Sequence, residues 1–240
     1  MIRVPLEGLT EGEIELDGAA RRYVVRVHRL RSGEHFVAFD PRARKEADAE
    51  LLSVGRDAAR ARISPLRPAS LVAVRPLTLI QAAVKGAKLD GIVRGATELG
   101  VTRIVVATAE RSVKRPVGDR LAVRLSRIAV EAARQCGRGD APEVVGPEPL
   151  GEALATYAGE SGAGRALCLA PGSDERLAEV LAGLQAQEGL ILAVGPEGGL
   201  TEGELQAARR NGFRTVSLGR FVLRTETATT AALGVVAALG

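Results

Sequence analysis

The chain has few of the residue types that build metal sites, disulfide scaffolds or aromatic cores. Its 240 residues include two cysteines, two histidines, no tryptophan and 2% aromatics. Zinc-ligand spacings and a disulfide framework are therefore excluded, and a core of Leu, Val, Ile and Ala is expected. No run approaches eighteen uninterrupted apolar residues, and the first residues lack the apolar stretch of a secretory signal. We expect a cytoplasmic protein without a metal ion or a membrane span.

The first 70 residues are predicted to form a small β-barrel or sheet. They carry short β-type runs separated by Gly, Pro or Asp. These runs are YVVRV, EHFVAFD, ADAELLSV and AARARIS. The stretch ISPLRPAS (63–70) holds two prolines and is predicted to be a linker.

From Leu71 onward, apolar runs alternate with helical patterns. The runs are LTLIQA, RIVVATA, RALCLA, LILAVG and TVSL, and the helical patterns lie near residues 85–99, 118–137, 174–184, 202–211 and 226–239. This alternation predicts an α/β fold with a mostly parallel sheet and helices on both faces. Gly100 and Gly212 suit the left-handed position just past a helix end.

Positive charge is concentrated in the middle of the chain. The net charge is +4 and the pI is near 9.5, which gives modest support for a polyanionic partner. Between residues 111 and 138 only Asp119 and Glu131 oppose the cations. The cations are Arg111, Lys114, Arg115, Arg120, Arg124, Arg127, Arg134 and Arg138. If they share a face they can contact several phosphates, and a solvated helix face is the alternative.

Two glycine-containing turns follow predicted strands near the end of the chain. AVGPEGGLTEGE (193–204) leads into a helix, with Thr201 and Glu204 spaced as a capping box. The motifs GxxxxGK[ST] and GxGxxG are absent, and the Glu197 carboxylate would repel a phosphate, so a neutral or cationic ligand fits better than a nucleotide phosphate. A tight turn with a surface carboxylate is the alternative.

The second turn, LGRFVLRTETATT (218–230), follows the strand TVSL. Thr225 is suited to cap the last helix, and alone this segment is read as a capped helix start. With the first turn it places two carboxylates, backbone amides and hydroxyls at the ends of neighbouring strands. Parallel sheets receive ligands there, so the sequence predicts a pocket at this edge.

Five ordered motifs resemble one family across nearly the whole chain. They are KGAKLDGIVRGATELGV (85–101), AERS (109–112), EAARQCGR (131–138), VGPEGGLTEGE (194–204) and LGRFVLRTETA (218–228). They resemble the bacterial 16S ribosomal RNA (uracil-N3) methyltransferases of the SPOUT superfamily. MIRV and VHRLRSGEHFVAFD are similar to that family's small β-barrel, which resembles PUA RNA-binding domains. The chain departs from the family at Arg134, Cys136 and His28, where a glutamate, a serine and a leucine are usual.

The resemblance implies two domains and an RNA substrate. Residues 1–70 would form a PUA-like RNA-binding β-barrel, and residues 71–240 a SPOUT domain that binds S-adenosylmethionine in a trefoil knot. It implies a homodimer in which each cofactor pocket works beside the partner subunit. The implied reaction is methylation of N3 of a uridine in the decoding region of 16S ribosomal RNA, as free RNA or in the 30S subunit.

The resemblance also implies roles for individual residues. The cofactor would be held by Gly195, Pro196, Glu197, Gly198, Gly199, Leu218, Gly219, Leu223, Thr225, Thr227 and Ala228. RNA would be contacted by Arg3, Arg29, Lys85, Lys88, Arg111, Ser112, Arg134 and Arg138, with a solvated face as the alternative for Lys85 and Lys88. Catalysis would rest on Arg224, which would stabilise the uracil anion, and on Glu226 or Glu98 as the proton acceptor.

Three other functions remain open on the sequence. One is a SPOUT methyltransferase that acts on another RNA position. Another is a non-catalytic RNA-binding protein of ribosome assembly, which would not bind S-adenosylmethionine. The third is a nucleotide-binding α/β enzyme, which titration with ATP or NAD would reveal.

Overall fold

A computed structural model describes residues 1–16, 18–56, 58–112, 120–159, 165–185 and 187–239. Lys114, Arg115 and Asp119 of the basic stretch lie outside the described residues. The chain forms two compact units. The first comprises Met1–Val72 with Val130–Ala141, and the second comprises Ala73–Ala129 with Pro142–Gly240. The division into an RNA-binding domain and a methyltransferase domain at residue 70 stays a prediction.

The first unit contains a six-stranded sheet. Its strands are β1 (Arg3–Pro5), β2 (Gly12–Leu16), β3 (His35–Asp40), β4 (Lys45–Val54), β5 (Ala59–Ile63) and β6 (Arg67–Pro68). The order is β1-β3-β4-β5-β2, with β6 paired to β4, and only β1 and β3 run parallel. Alternate residues of β5 are buried, as expected for a sheet with one face on the core. No ladder joins β1 to β2 within the described ranges, so the sheet is open and the predicted closed barrel is not seen.

Two predictions for the first unit are wrong. YVVRV, predicted as a strand, lies in a π-helical segment, Arg22–Val27, that continues the short helix α1 (Gly18–Arg21). Val24 is buried in the core of this unit and Tyr23 and Val25 pack against it, so tertiary packing overrides the strand preference of valine. The predicted linker contains β6, which pairs with β4 and whose Arg67 binds Asp48 at 2.9 Å.

The second unit is built on a fully parallel six-stranded sheet. Its strands are β7 (Leu77–Ala82), β8 (Arg103–Thr108), β9 (Glu143–Pro149), β10 (Arg165–Leu169), β11 (Leu190–Val194) and β12 (Arg214–Val216). The order is β12-β10-β11-β7-β8-β9. Every residue of β11 is buried, because both faces of the sheet are covered. The predicted α/β fold with a parallel sheet is confirmed.

Helices cover both faces of this sheet. They are α2 (Lys88–Glu98), the first part of α3 (Arg120–Cys136), which continues into the first unit from Val130, α4 (Leu150–Ala158), α5 (Leu177–Leu181), α6 (Glu202–Arg210) and α7 (Thr225–Ala237). Residues of α2, α5 and α7 share one apolar cluster, and residues of α4 and α6 share the other. Leu192 of β11 belongs to the first cluster and Ile191 to the second, so the strand supplies both cores. None of the helices described here is long and apolar enough to cross a bilayer.

Local signals fix several helix ends as predicted. Gly100 and Gly212 have φ values of 88° and 82° just past α2 and α6. The Thr201 hydroxyl accepts a hydrogen bond from the Glu204 N–H, and the Glu204 carboxylate accepts one from the Thr201 N–H at 2.8 Å. This capping box starts α6 directly after the first glycine turn, so the turn enters a helix N-terminus.

Candidate functional site

A cleft of about 900 Å³, counting its open mouth, lies at the carboxyl ends of three adjacent strands. These strands are β10, β11 and β12, and parallel sheets commonly bind ligands at this edge. The cleft is lined by Leu169, Ala170, Pro171, Val194, Gly195, Pro196, Glu197, Gly199, Leu200, Leu205, Val216, Ser217, Leu218, Gly219, Phe221, Val222, Leu223, Thr225 and Ala228. Nine of the eleven residues predicted to hold the cofactor are in this set. Gly198 and Thr227 are not.

The first glycine turn forms one wall of the cleft. A Cβ atom on Gly195 would lie 2.9 Å from Leu200 Cγ, so the turn packs too tightly for a side chain there. Gly199 has a φ of +70° and completes the turn into α6. Gly198 faces Arg111, whose Nη1 donates to the Gly198 carbonyl oxygen at 3.0 Å. The turn is therefore fixed by the packing of Leu200 against Gly195 and by the hydrogen bond from Arg111 to Gly198.

The second glycine turn forms the opposite wall. Gly219 has a φ of +149°, which favours glycine, and a Cβ atom there would meet no atom within 4 Å. The turn carries Phe221 and Val222, which are 74% and 80% exposed. Large exposed apolar side chains beside a cleft mark a surface that a ligand or partner covers.

A buried polar network joins the two walls. The Thr225 hydroxyl donates to the Gly195 carbonyl oxygen at 2.7 Å, and the Thr229 hydroxyl donates to Gln81 Oε1 at 2.7 Å. Gln81 Nε2 donates to Thr225 Oγ1 at 3.4 Å and to the Ala82 carbonyl oxygen. The predicted cap by Thr225 is wrong, because Arg224 is the N-cap residue of α7 and the Thr225 hydroxyl serves the network instead.

Sequence reasoning missed Gln81 and, although it predicted the strand RALCLA, the contribution of that strand's end to the cleft. The available signal is a polar Gln81 near the end of the apolar run LTLIQA, and the structure buries it completely. Pro171 and Gly172 follow the buried strand β10, and a Pro-Gly pair after an apolar run marks a turn at the ligand edge.

Three charged side chains meet beside the cleft. Lys88 Nζ lies 3.2 Å from Glu197 Oε1 and 3.4 Å from Glu226 Oε1. Burial acts to raise the pKa of Glu197, but hydrogen bonds from its own N–H, from Lys88 and from the Lys85 N–H outweigh burial and lower it. The hydrogen bond to Glu197 is the main cause of the raised pKa of Lys88. The ion pair is thus charged on both sides at neutral pH.

The predicted catalytic residues lie at different distances from this cluster. Arg224 is exposed and comes between Leu223 and Thr225, which both line the cleft. Glu226 is in the first turn of α7, and its Oε2 is buried without a hydrogen-bond partner among the described residues. Glu98 is exposed at the far end of α2, about 15 Å along the helix axis from Lys88. The structure therefore brings Arg224 and Glu226 to the cleft and leaves Glu98 remote.

The loop after β8 is tied to the start of α6. The Glu110 N–H donates to Glu204 Oε1 at 2.7 Å, and the Thr201 hydroxyl donates to Glu110 Oε2. Ser112 closes the loop, because its hydroxyl accepts the Ala109 N–H at 3.2 Å. Arg111 is exposed beside the first turn, and Lys85 is exposed just before α2.

Four predicted RNA contacts lie in the first unit, and three are engaged in ion pairs. Arg3 binds Glu46 at 2.9 Å, and Arg138 binds Asp140 at 2.9 Å. Arg134 binds Glu131 and stacks over the Tyr23 ring at 4.1 Å, and burial lowers its pKa. Arg29 is exposed, with a φ of 56°. As placed, Arg29 offers its charge to solvent and the other three are occupied by protein groups.

The lining chemistry of the cleft fits S-adenosylmethionine better than a phosphate ligand. Among the described residues that line it, Glu197 is the only charged one, and no Lys or Arg is present to neutralise phosphates. Apolar side chains and backbone groups suit an adenosyl moiety, and a carboxylate tolerates a sulfonium cation. The residues described also contain no group of three His, Cys, Asp or Glu side chains that could hold a metal ion.

Comparison with known proteins agrees with this chemistry. Residues 73–237 match the model of the RNA methyltransferase domain family. The chain is similar to ribosomal RNA small subunit methyltransferase E of Synechocystis, with 33% identity over 97% of this chain and 75% of that protein. The Mycobacterium bovis protein of the same name is 36% identical over 93% of this chain and 86% of its own length.

Solved structures extend the similarity to the fold and the cofactor. A Neisseria gonorrhoeae ribosomal RNA small subunit methyltransferase E bound to S-adenosyl methionine has a TM-score of 0.87 and 31% identity, covering 100% of this chain and 98% of that one. A Legionella pneumophila protein in complex with bound SAM also has a TM-score of 0.87, with 28% identity over 99% of this chain and 97% of that one. The match of the domain model and the relatives that exceed 30% identity over almost the whole length show that the chain belongs to the ribosomal RNA small subunit methyltransferase E family of RNA methyltransferases.

Proposed function

We propose that the chain transfers the methyl group of S-adenosylmethionine to N3 of a uridine in the decoding region of 16S ribosomal RNA. The observation that carries the proposal is the cleft at the ends of β10, β11 and β12. Its two walls are glycine-containing turns, and Glu197 is the one charged side chain among the described residues that line it. S-adenosylmethionine lies in the structure of the Neisseria relative. Because the proposed substrate is ribosomal RNA, free or in the 30S subunit, we also propose a cytoplasmic location.

The reaction requires uracil to lose its N3 proton and to present that nitrogen in line with the methyl–sulfur bond. Holding the two reactants in this geometry supplies much of the acceleration. We assign proton acceptance to Glu226, because it follows the cleft-lining Thr225 in the first turn of α7 and its Oε2 has no hydrogen-bond partner among the described residues. We assign stabilisation of the uracil anion to the exposed Arg224 guanidinium. Glu98 is the weaker candidate because it lies at the far end of α2.

RNA contacts are proposed first for the exposed predicted cations, Arg29, Lys85 and Arg111. Phosphate contacts by such side chains position an RNA without reading its sequence. Arg3, Arg134 and Arg138 would have to leave their carboxylate partners to contact RNA. The target uridine must be unpaired or flipped, since its N3 faces the complementary strand in a duplex.

The family's knot, its PUA-like module and its dimer are proposals for this chain. We propose a trefoil knot around the cleft and a homodimer whose partner subunit covers the rim at Phe221 and Val222. Exposure of two large apolar side chains side by side supports an interface there. An open sheet, rather than a closed barrel, would form the RNA-binding module.

Changing Phe221 and Val222 to Ser together is expected to convert a dimer into a monomer, because the apolar area buried at the rim would be lost. Sedimentation equilibrium at several protein concentrations measures the change. The control is Val54→Ser, which removes a 44% exposed valine from the first unit. A wild-type chain that is monomeric, or a doubly substituted chain that stays dimeric, would contradict this interface.

Nucleoside mass spectrometry tests the proposed reaction. Ribosomal RNA from cells that lack the protein is analysed before and after incubation with purified protein and S-adenosylmethionine. We expect 3-methyluridine to appear in 16S RNA after incubation. A different methylated nucleoside would identify a methyltransferase of another RNA position. No methylation and no cofactor binding would indicate a non-catalytic RNA-binding protein.

A further inference from the structure

We propose that Lys88 is a positioning residue that joins the two walls of the cofactor cleft, and that it does not serve primarily as an RNA contact. This inference rests on the proposed function only in taking the cleft as the S-adenosylmethionine site. Lys88 Nζ lies within 3.4 Å of carboxylate oxygens of Glu197 and Glu226. Glu197 belongs to the wall after β11, and Glu226 directly follows the wall after β12. One ammonium group therefore bridges two segments far apart in the sequence.

A second hydrogen bond near Lys88 also holds the Glu197 carboxylate of the first wall. The Lys85 N–H donates to the same Glu197 oxygen at 3.4 Å, so the segment before α2 holds this carboxylate through backbone and side chain. Lys85 itself is exposed, and the described structure gives its ammonium group no ion pair. The two lysines therefore differ in their contacts. Lys88, the first residue of α2, is held by two carboxylates, whereas the ammonium group of Lys85, just before the helix, faces solvent.

The position of Lys88 in α2 is unfavourable without these carboxylates. Lys88 is the first residue of the helix, where the backbone N–H groups carry partial positive charge that repels a cation. The first-turn acid Asp90 does not compensate, because Arg124 binds it at 2.6 Å. Glu197 and Glu226 therefore supply the attraction that keeps the ammonium group in place.

The bridge also arranges the Glu226 carboxylate. Its Oε1 faces Lys88, and its buried Oε2 has no hydrogen-bond partner in the described part of the chain. A buried carboxylate oxygen without a hydrogen-bond partner is costly, so the ion pair with Lys88 is the contact that stabilises this carboxylate. By pairing with Oε1, Lys88 fixes the orientation of the whole carboxylate. Without the ammonium group the two glutamates would also repel each other.

Isothermal titration calorimetry with the full chain tests the bridge. S-adenosylmethionine and its neutral product S-adenosylhomocysteine are titrated into the wild type, Lys88→Met, Lys88→Arg and the control Lys85→Met. We expect Lys88→Met to weaken the affinity for both compounds by about tenfold, because a loosened cleft must be ordered on binding. Lys88→Arg is expected to restore most of the affinity, since a guanidinium can bind both carboxylates, and Lys85→Met should behave as the wild type.

Hydrogen exchange of the ligand-free proteins gives a readout independent of cofactor and activity. Amides of residues 218–224 are expected to exchange faster in Lys88→Met than in the wild type or Lys85→Met. The effect of Lys88→Met should be smaller in a Glu226→Gln background, since that change already removes one of the two charge pairs.

Several results would overturn the inference. Unchanged cofactor affinity and unchanged exchange in Lys88→Met would show that the bridge has no positioning role. If Lys88→Met binds both compounds as the wild type does but binds 16S ribosomal RNA more weakly, Lys88 is an RNA contact. A rise in the affinity for S-adenosylmethionine alone would show that only its charge matters. If the wild type binds neither compound, the proposed function fails, and the exchange experiment still decides whether Lys88 joins the two walls.

Discussion

Arg224→Ala is expected to slow methyl transfer by about 10²–10³-fold, the range found when one donor to a developing anion is removed. The Arg224 guanidinium is exposed between two residues that line the cleft, and no described side chain binds it. It is therefore available to the anion that forms on uracil. Single-turnover methylation of RNA at saturating cofactor measures the rate of the chemical step.

The matched control is Arg220→Ala. Arg220 lies in the same turn and stacks over the Phe221 ring at 5.5 Å, so the change removes an equal charge from the same wall. We expect it to leave the single-turnover rate nearly unchanged. Arg224→Ala should also keep the wild-type affinity for S-adenosylmethionine and the wild-type unfolding curve. A rate close to that of the wild type in Arg224→Ala would remove Arg224 from the mechanism.

Glu226→Ala tests the other half of the proposed chemistry. Removal of a general base slows a reaction by about 10²–10⁴-fold, and we expect a loss in this range. Glu98→Ala is the control, because Glu98 is exposed at the far end of α2. A large loss in Glu98→Ala with a normal rate in Glu226→Ala would exchange their roles.

The parallel sheet could be predicted because its strands are continuous apolar runs. LILAV of β11 is buried on both faces and therefore shows no polar alternation. The sequence missed β9, where Gly146 and Pro147 interrupt the apolar run, and the adjoining helix α4. The valines of YVVRV favour a strand, but the segment packs on the core of its unit as a π-helical turn, which local preference does not reveal.

The two turns of the site could be predicted because their backbone requires glycine at particular positions. The turns at Gly195 and Gly219 need glycine for packing or for φ, and this need is visible in the sequence. The role of Gln81 depends on the order of the strands, which places β7 beside β11 and brings Thr225 within reach. The partners of Lys88 likewise come from segments more than a hundred residues away. Contacts of this kind cannot be deduced from local spacing.

Thr225→Val is expected to lower the free energy of unfolding by about 1–3 kcal/mol, the cost of leaving a buried acceptor without its donor. Valine keeps the shape of threonine but cannot donate to the Gly195 carbonyl oxygen, which the hydroxyl reaches at 2.7 Å. Thr230→Val is the control, because its exposed hydroxyl donates only within α7, to the Glu226 carbonyl oxygen. Urea unfolding of the three proteins measures the difference, and equal stabilities of the two variants would contradict the structural role of Thr225.

The same change should weaken cofactor binding, because Gly195 and Thr225 both line the cleft and their hydrogen bond connects its walls. A ligand that binds only the folded state stabilises it by RT ln(1 + [L]/Kd). The rise in melting temperature on adding S-adenosylmethionine should therefore be smaller for Thr225→Val than for the wild type and Thr230→Val at equal cofactor concentration. An equal rise in all three proteins would mean that the network stabilises the fold without shaping the cleft.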